Sequence, residues 1–157
     1  IVKPKRKDVA NLLLLRKNHI DELKRKITQG GNWVVNIKSV RNVVSGENFV
    51  YAFPEISENK IIVSKGEVIS KIDFKQEDLK KGFRDKINLL LASSLAEIKR
   101  RGSLTNEIKL RGDSLKKVRD FLINNDKDTY KLEAVSLKNS KTAQSVIVEL
   151  NITYLNS

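Results

Sequence analysis

The stretch from Ser145 to Leu155 constrains this chain more than any other. Val146, Val148, Leu150, Ile152 and Tyr154 alternate there with Glu149, Asn151 and Thr153. Successive side chains of a strand point to opposite faces, so this pattern predicts a strand with one apolar and one polar side. Such a strand needs neighbours in a sheet and a layer over its apolar face. Thr129 to Leu137 offers the first neighbour, with Tyr130, Leu132 and Ala134 on one face. The polar link Lys138 to Gln144 makes the two a hairpin.

The covering layer is expected from two helices. Leu79, Phe83, Ile87, Leu90, Leu91, Leu95 and Ile98 recur at helical spacing up to about Arg101, and Gly102 closes the run. Asp73 is its expected cap, with Gln76 as reciprocal partner. A short strand from Thr105 to Leu110 follows. A second helix is capped by Asp113 or Ser114, carries Leu115, Val118, Phe121 and Leu122 inward, and ends at Asn124-Asn125-Asp126.

Upstream, Asn32 to Phe74 reads as an antiparallel meander. Trp33, Val35 and Ile37 alternate with Asn36 and Lys38; Phe49, Tyr51 and Phe53 alternate and end at Pro54. Ser45-Gly46-Glu47-Asn48, Glu58-Asn59 and Lys65-Gly66-Glu67 are the turns. A helix is predicted from Asp8 to Thr28, past the break at Pro4. Its stripe is Val9, Leu13, Ile20, Leu23 and Ile27, widened by Leu12, Leu14 and Leu15, interrupted by Arg16 and stopped by Gly30-Gly31. The expected fold class is therefore α+β, with an N-terminal amphipathic, coiled-coil-like helix over residues 1–30 and a single α+β domain over 31–157.

The chain has 157 residues, no cysteine, one histidine and a net charge of +12. Disulfides, thiolate chemistry and cysteine zinc sites are excluded. The charge suits a polyanion partner or a solvated lysine-rich surface. No run reaches the roughly 18–20 apolar residues of a membrane helix. The chain opens on Ile1 and contains no methionine, as a trimmed fragment would. On that expectation a membrane span could precede the basic opening Lys3, Lys5, Arg6 and Lys7.

Reactive constellations are sparse. Glu67 and Asp73 with Lys71 are the nearest approach to a metal-dependent hydrolytic set, but acids at turns and strand ends are ordinary surface chemistry. His19 reads as the flank of a packed helix. There is no G-x-S-x-G elbow, P-loop or G-x-G-x-x-G. Asn151-Ile152-Thr153 matches a glycosylation acceptor only inside a strand. Trp33, Lys38, Arg41, Phe49, Tyr51 and Phe53 share adjacent strands, as a single-strand nucleic-acid platform would require. The expected role of these aromatics is nonetheless an inward-facing core.

One resemblance lies in the last third. Glu107-Ile108-Lys109-Leu110-Arg111-Gly112-Asp113-Ser114-Leu115, Val118-Arg119-Asp120-Phe121-Leu122, Leu132-Glu133-Ala134-Val135-Ser136-Leu137 and Val146 to Tyr154 form an order of elements similar to the C-terminal part of the PilO/GspM family, inner-membrane assembly proteins of type IV pili and type II secretion systems. The resemblance implies a membrane-anchored bacterial protein with an N-terminal span, a coiled coil and a dimerising ferredoxin-like domain of helices on an antiparallel sheet. It implies an extracytoplasmic location, no cofactor and no catalytic residues. The strongly basic charge and the long strand-rich block depart from that pattern.

The expected function is thus a non-enzymatic assembly or scaffold domain, binding a protein partner or a second copy through Val9, Leu13, Ile20, Leu23 and Ile27. That domain would be membrane-adjacent if a span precedes Ile1; the alternative is a basic nucleic-acid-binding module using Lys38, Arg41, Arg100, Arg101, Arg111 and Lys117, and the alternative location is cytoplasmic.

Overall fold

A computed structural model describes residues 13–42, 49–125 and 128–155, and only the backbone of residues 79–81. Val9, the helix start at Asp8, Leu12, the basic opening, the turn Ser45 to Asn48, Asp126 and the Leu79 side chain lie outside the described residues. The protein is a mixed α+β structure whose contacts group it into two compact units, Ile1–Asn59 and Lys60–Ser157. The division expected after residue 30 falls inside the first unit.

The first unit holds β1 (Leu13–Leu15), α1 (Lys17–Thr28), β2 (Trp33–Ser39) and β3 (Val50–Glu58). Its sheet has the order β1-β3-β2, with β1 parallel and β2 antiparallel to β3. Leu13 therefore lies on a strand, and the helix begins at Lys17, part-way along the predicted stripe, between Leu13 and Ile20. A short apolar run satisfies either periodicity, and pairing with Val50–Ala52 decides it here. At the other end of α1, Gly30 and Gly31 have φ of 81° and 112°. The Trp33 indole donates to the Gly30 carbonyl at 2.9 Å. A Cβ on Gly31 would stand 3.0 Å from the indole nitrogen, so this position needs glycine twice over.

β3 does not stop at Pro54 but runs on to Glu58. The register explains why. Val40 N–H donates to Tyr51 C=O, and Asn59 N–H to Asn32 C=O, so residues 51, 53, 55 and 57 face β2 with their backbone groups and Pro54 faces away. On that side β1 ends opposite Ala52. Proline is tolerated where no neighbour needs its N–H.

The second unit contains β4 (Ile61–Val63), β5 (Val68–Lys75), α2 (Gln76–Arg100), β6 (Ile108–Leu110), α3 (Ser114–Ile123), β7 (Thr129–Ser136), β8 (Ser140–Lys141) and β9 (Val146–Tyr154). β4 pairs with β8, while a four-stranded sheet has the order β5-β7-β9-β6. The predicted meander is thus redistributed. Only β2 and β3 pair with each other, and β4 and β5 find partners from the C-terminal third. Nor is the four-stranded sheet purely antiparallel, as a ferredoxin-like sheet would be. The predicted hairpin of β7 and β9 forms, and β9 then fills the place beside β6, running parallel to it.

Ile69, Phe74, Ile87, Leu90, Ile98, Val118, Tyr130, Leu132, Ala134, Val146, Val148 and Leu150 are buried in one core with Ile62 and Val63. Burying each large apolar side chain contributes about 1.5–3 kcal/mol. α2 packs on β5 and β7 and α3 on β9, so the predicted stripes face the sheet. The exception is Leu115, which is exposed. α2 bends at Gly82, where the backbone leaves the helical region. Its first turn is held by Asp78, whose carboxylate accepts the Lys75 N–H at 3.1 Å. Asp73, the expected cap, lies within β5.

Candidate functional site

In a strand pair, residues directly opposite each other share a face. Trp33, Val35 and Ile37 of β2 lie opposite Glu58, Ile56 and Pro54. On the far side of β3, Leu13 and Leu15 lie opposite Val50 and Ala52. These residues make one almost wholly apolar sheet face. Trp33 is 37% exposed, Val35 40% and Ile37 43%. The same three residues point their backbone N–H and C=O groups away from β3, because residues 34, 36 and 38 make the bonds to it. Among the described residues β2 is the outer strand of its sheet, and none of them pairs with its outward backbone groups, so open hydrogen-bonding groups and exposed apolar side chains coincide on it.

The opposite face of β3 carries Tyr51 and Phe53. A cleft of about 570 Å³ opens beside them. Leu14, Leu15, Val40 and Ala52 supply more of its apolar wall, and Arg16, His19 and Arg41 its polar groups. The Nδ1 atom of His19 is buried without a hydrogen-bond partner among the described residues. Arg16 caps α1 by backbone position alone, with no side-chain cap bond, and the first turn of that helix holds no acidic residue.

Phe49 and Tyr51 are more than half exposed, so the expectation that the β2 and β3 aromatics form a core is corrected. The core rings are those of Phe74 and Tyr130, stacked at 5.5 Å, with Phe121 edge-on to Tyr130 at 6.4 Å. Of the predicted partner stripe, Ile20, Leu23 and Ile27 remain on α1, with Ile27 about half exposed; Leu13 has moved to β1.

The residues of the nucleic-acid alternative are divided between the units, and most have carboxylate partners. Lys38 is 2.5 Å from Glu55. Arg100 and Arg101 meet Glu97 at 2.9 and 2.7 Å, and Arg101 also bonds Glu67. Arg111 pairs with Asp113 at 2.8 Å and Glu149 at 3.3 Å, and Lys117 with Asp113 at 3.2 Å. Arg41 alone of the set lines the cleft. Hydrogen bonds from Arg100, then Arg101, hold the Glu97 carboxyl down at about 2. Lys117 and then Arg111 lower Asp113.

Glu67 accepts the Ser64 N–H at 2.9 Å, which chiefly lowers its pKa, with Arg101 adding to the effect. Its carboxylate is thus committed to a turn and an ion pair. Lys71 and Asp73 sit opposite Glu133 and Lys131 across the β5–β7 pair. Among the described residues, no group of three or more His, Asp or Glu side chains is placed to hold a metal ion. Nor is any helix among them long and apolar enough to cross a membrane.

Sequence reasoning missed Arg16, Leu14 and Val40 as cleft residues and treated His19 as a bystander. No local pattern signals them, because the cleft joins a strand, a helix start and the far end of β2. Comparison with protein-family models, curated proteins and solved structures yields no match.

Proposed function

We propose that the chain is a non-enzymatic assembly module that joins a second copy of itself through the outer edge of β2. Trp33, Val35 and Ile37 carry this reading, since each presents both open backbone groups and an apolar side chain. Exposed strand edges recruit further strands, and apolar faces that stay uncovered mark protein interfaces. The helix stripe gives way to this edge as the main contact. Membrane anchorage and a pilus or secretion role, as in the PilO/GspM family, form the finer part of the proposal; they rest on the pattern from Glu107 to Tyr154. The nucleic-acid alternative is weakened by the ion pairs that engage Lys38, Arg100, Arg101, Arg111 and Lys117.

Val35→Pro tests the edge. The Val35 N–H points outward, so proline removes a donor from the edge but none from the β2–β3 pair. Light scattering should show a dimer for the unaltered chain and a monomer for the variant, with unchanged circular dichroism. An unaltered chain that stays monomeric at high micromolar concentration, or a variant that still dimerises, would count against the reading.

A further inference from the structure

We infer that the groove between the bend of α2 and the last turn of α3 docks an acidic protein segment that inserts one large apolar side chain. The groove is formed within the second unit, so this does not depend on the β2 edge. Phe83, Arg119, Leu122 and Ile123 line it, around about 270 Å³. Its position follows from the chain: Phe83 comes directly after the bend at Gly82, and α3 ends at Ile123. Phe83 and Leu122 are partly buried and pack on the core, so the floor is held from beneath. Ile123 is 74% exposed, more than any other large apolar residue among those described. Single exposed apolar side chains are ordinary, but this one stands beside an apolar hollow. The volume is below the roughly 300–1,000 Å³ of small-molecule sites. It suits one side chain of a partner, the kind of anchor that dominates protein interfaces.

Charge selects the partner. Arg119 is the one polar residue of the described lining, and no carboxylate joins it there. Lys86 of α2 meets Asp78 at 3.5 Å and Lys117 of α3 meets Asp113 at 3.2 Å, whereas Arg119 meets no carboxylate among the described residues. Lys116, three residues earlier on the same helix face, is exposed and likewise meets none among them. Asp120 follows Arg119 but does not line the groove. A guanidinium beside an apolar hollow takes a carboxylate in forked geometry, and the net charge of +12 draws acidic partners in from a distance. The occupant is thus a segment with a phenylalanine or leucine flanked by aspartate or glutamate.

Nuclear magnetic resonance titration of the full chain with the capped peptide Asp-Glu-Phe-Glu-Asp-Leu tests this. Saturable shifts should appear at Phe83, Arg119, Leu122 and Ile123, with an affinity that falls as salt rises. Two control peptides should bind more weakly: one with amides in place of the acids, and one with serine in place of phenylalanine and leucine. Ile123→Ser should weaken binding by about tenfold through lost apolar burial. Arg119→Gln should weaken it by about threefold, as loss of an exposed ion pair does. Both residues are exposed, and retained amide spectra would show that both variants stay folded. The inference fails if the acidic peptide gives no saturable shifts at the groove, or if either control peptide binds as well. It also fails if either folded variant binds unchanged, or if phosphatidylglycerol vesicles perturb these residues where the peptide does not.

Discussion

The strands β2 and β9 carry nearly the same message in sequence and meet opposite fates. Val146, Val148 and Leu150 alternate along β9 and are buried, under a layer that includes α3. Trp33, Val35 and Ile37 alternate along β2 and are all exposed. The second unit buries fourteen apolar side chains in one cluster, whereas Ala52 is the one buried apolar residue of the first unit among those described. Alternation therefore specifies that a face exists, not what covers it. A unit that leaves such a face open has apolar surface to give to association rather than to its own stability.

Mutations can sharpen this contrast. The largest effect is expected from Leu132→Ala, which empties a fully buried position on β7. It should cost roughly 2–5 kcal/mol, read as a lower urea midpoint. Gly31→Ala comes next: it puts a side chain at φ of 112° and crowds the Trp33 indole. A loss of about 1–2 kcal/mol is expected, with a shift in Trp33 fluorescence locating it in the first unit.

Acid should act through the carboxylates of the second unit. The folded pKa of Glu97 is depressed from 4.5 to about 2. A depressed carboxyl stabilises the fold above its unfolded pKa and ceases to do so as pH falls through the folded value. Stability should therefore decline between about pH 4.5 and 2, and Arg101→Gln should reduce that decline in thermal melts. The effect is modest because these groups are near the surface. Smallest of all, Val35→Thr should change the unfolding free energy by no more than about 0.5 kcal/mol. A loss as large as that of Leu132→Ala would mean that the β2 face is covered after all.

Much of the second unit was legible because its segments carry one period each. Tyr130, Leu132 and Ala134 alternate without interruption, and Ile87, Leu90 and Ile98 keep helical spacing, so local pattern and tertiary demand agree. Errors arose where one local pattern admits two structures. The run Leu12–Leu15 satisfies helix and strand alike, and only its pairing with β3 decides Leu13–Leu15. Pro54 reads as a terminator unless it is known which way its nitrogen points. The parallel placement of β6 beside β9 depends on where a hairpin from later in the chain lands. The cleft was the least legible feature, because Arg16, His19 and Arg41 become neighbours only through the sheet. Burial is also a property of surroundings, which is why the aromatics of β3 could be assigned to a core that forms elsewhere.

Pro54 bears on how far any assembly could extend. Beyond Ala52, the flank of β3 opposite β2 offers a carbonyl but no donor at residue 54, so an incoming chain finds a gap in the ladder there. The other flank, along β2, has no such gap. Under the proposed pairing along β2, two copies would meet there, and a third would face the interrupted flank of β3 that the described residues present. Growth that stops at two is what separates a regulated contact from a fibre, and under that proposal a single imino acid in mid-strand would provide the stop.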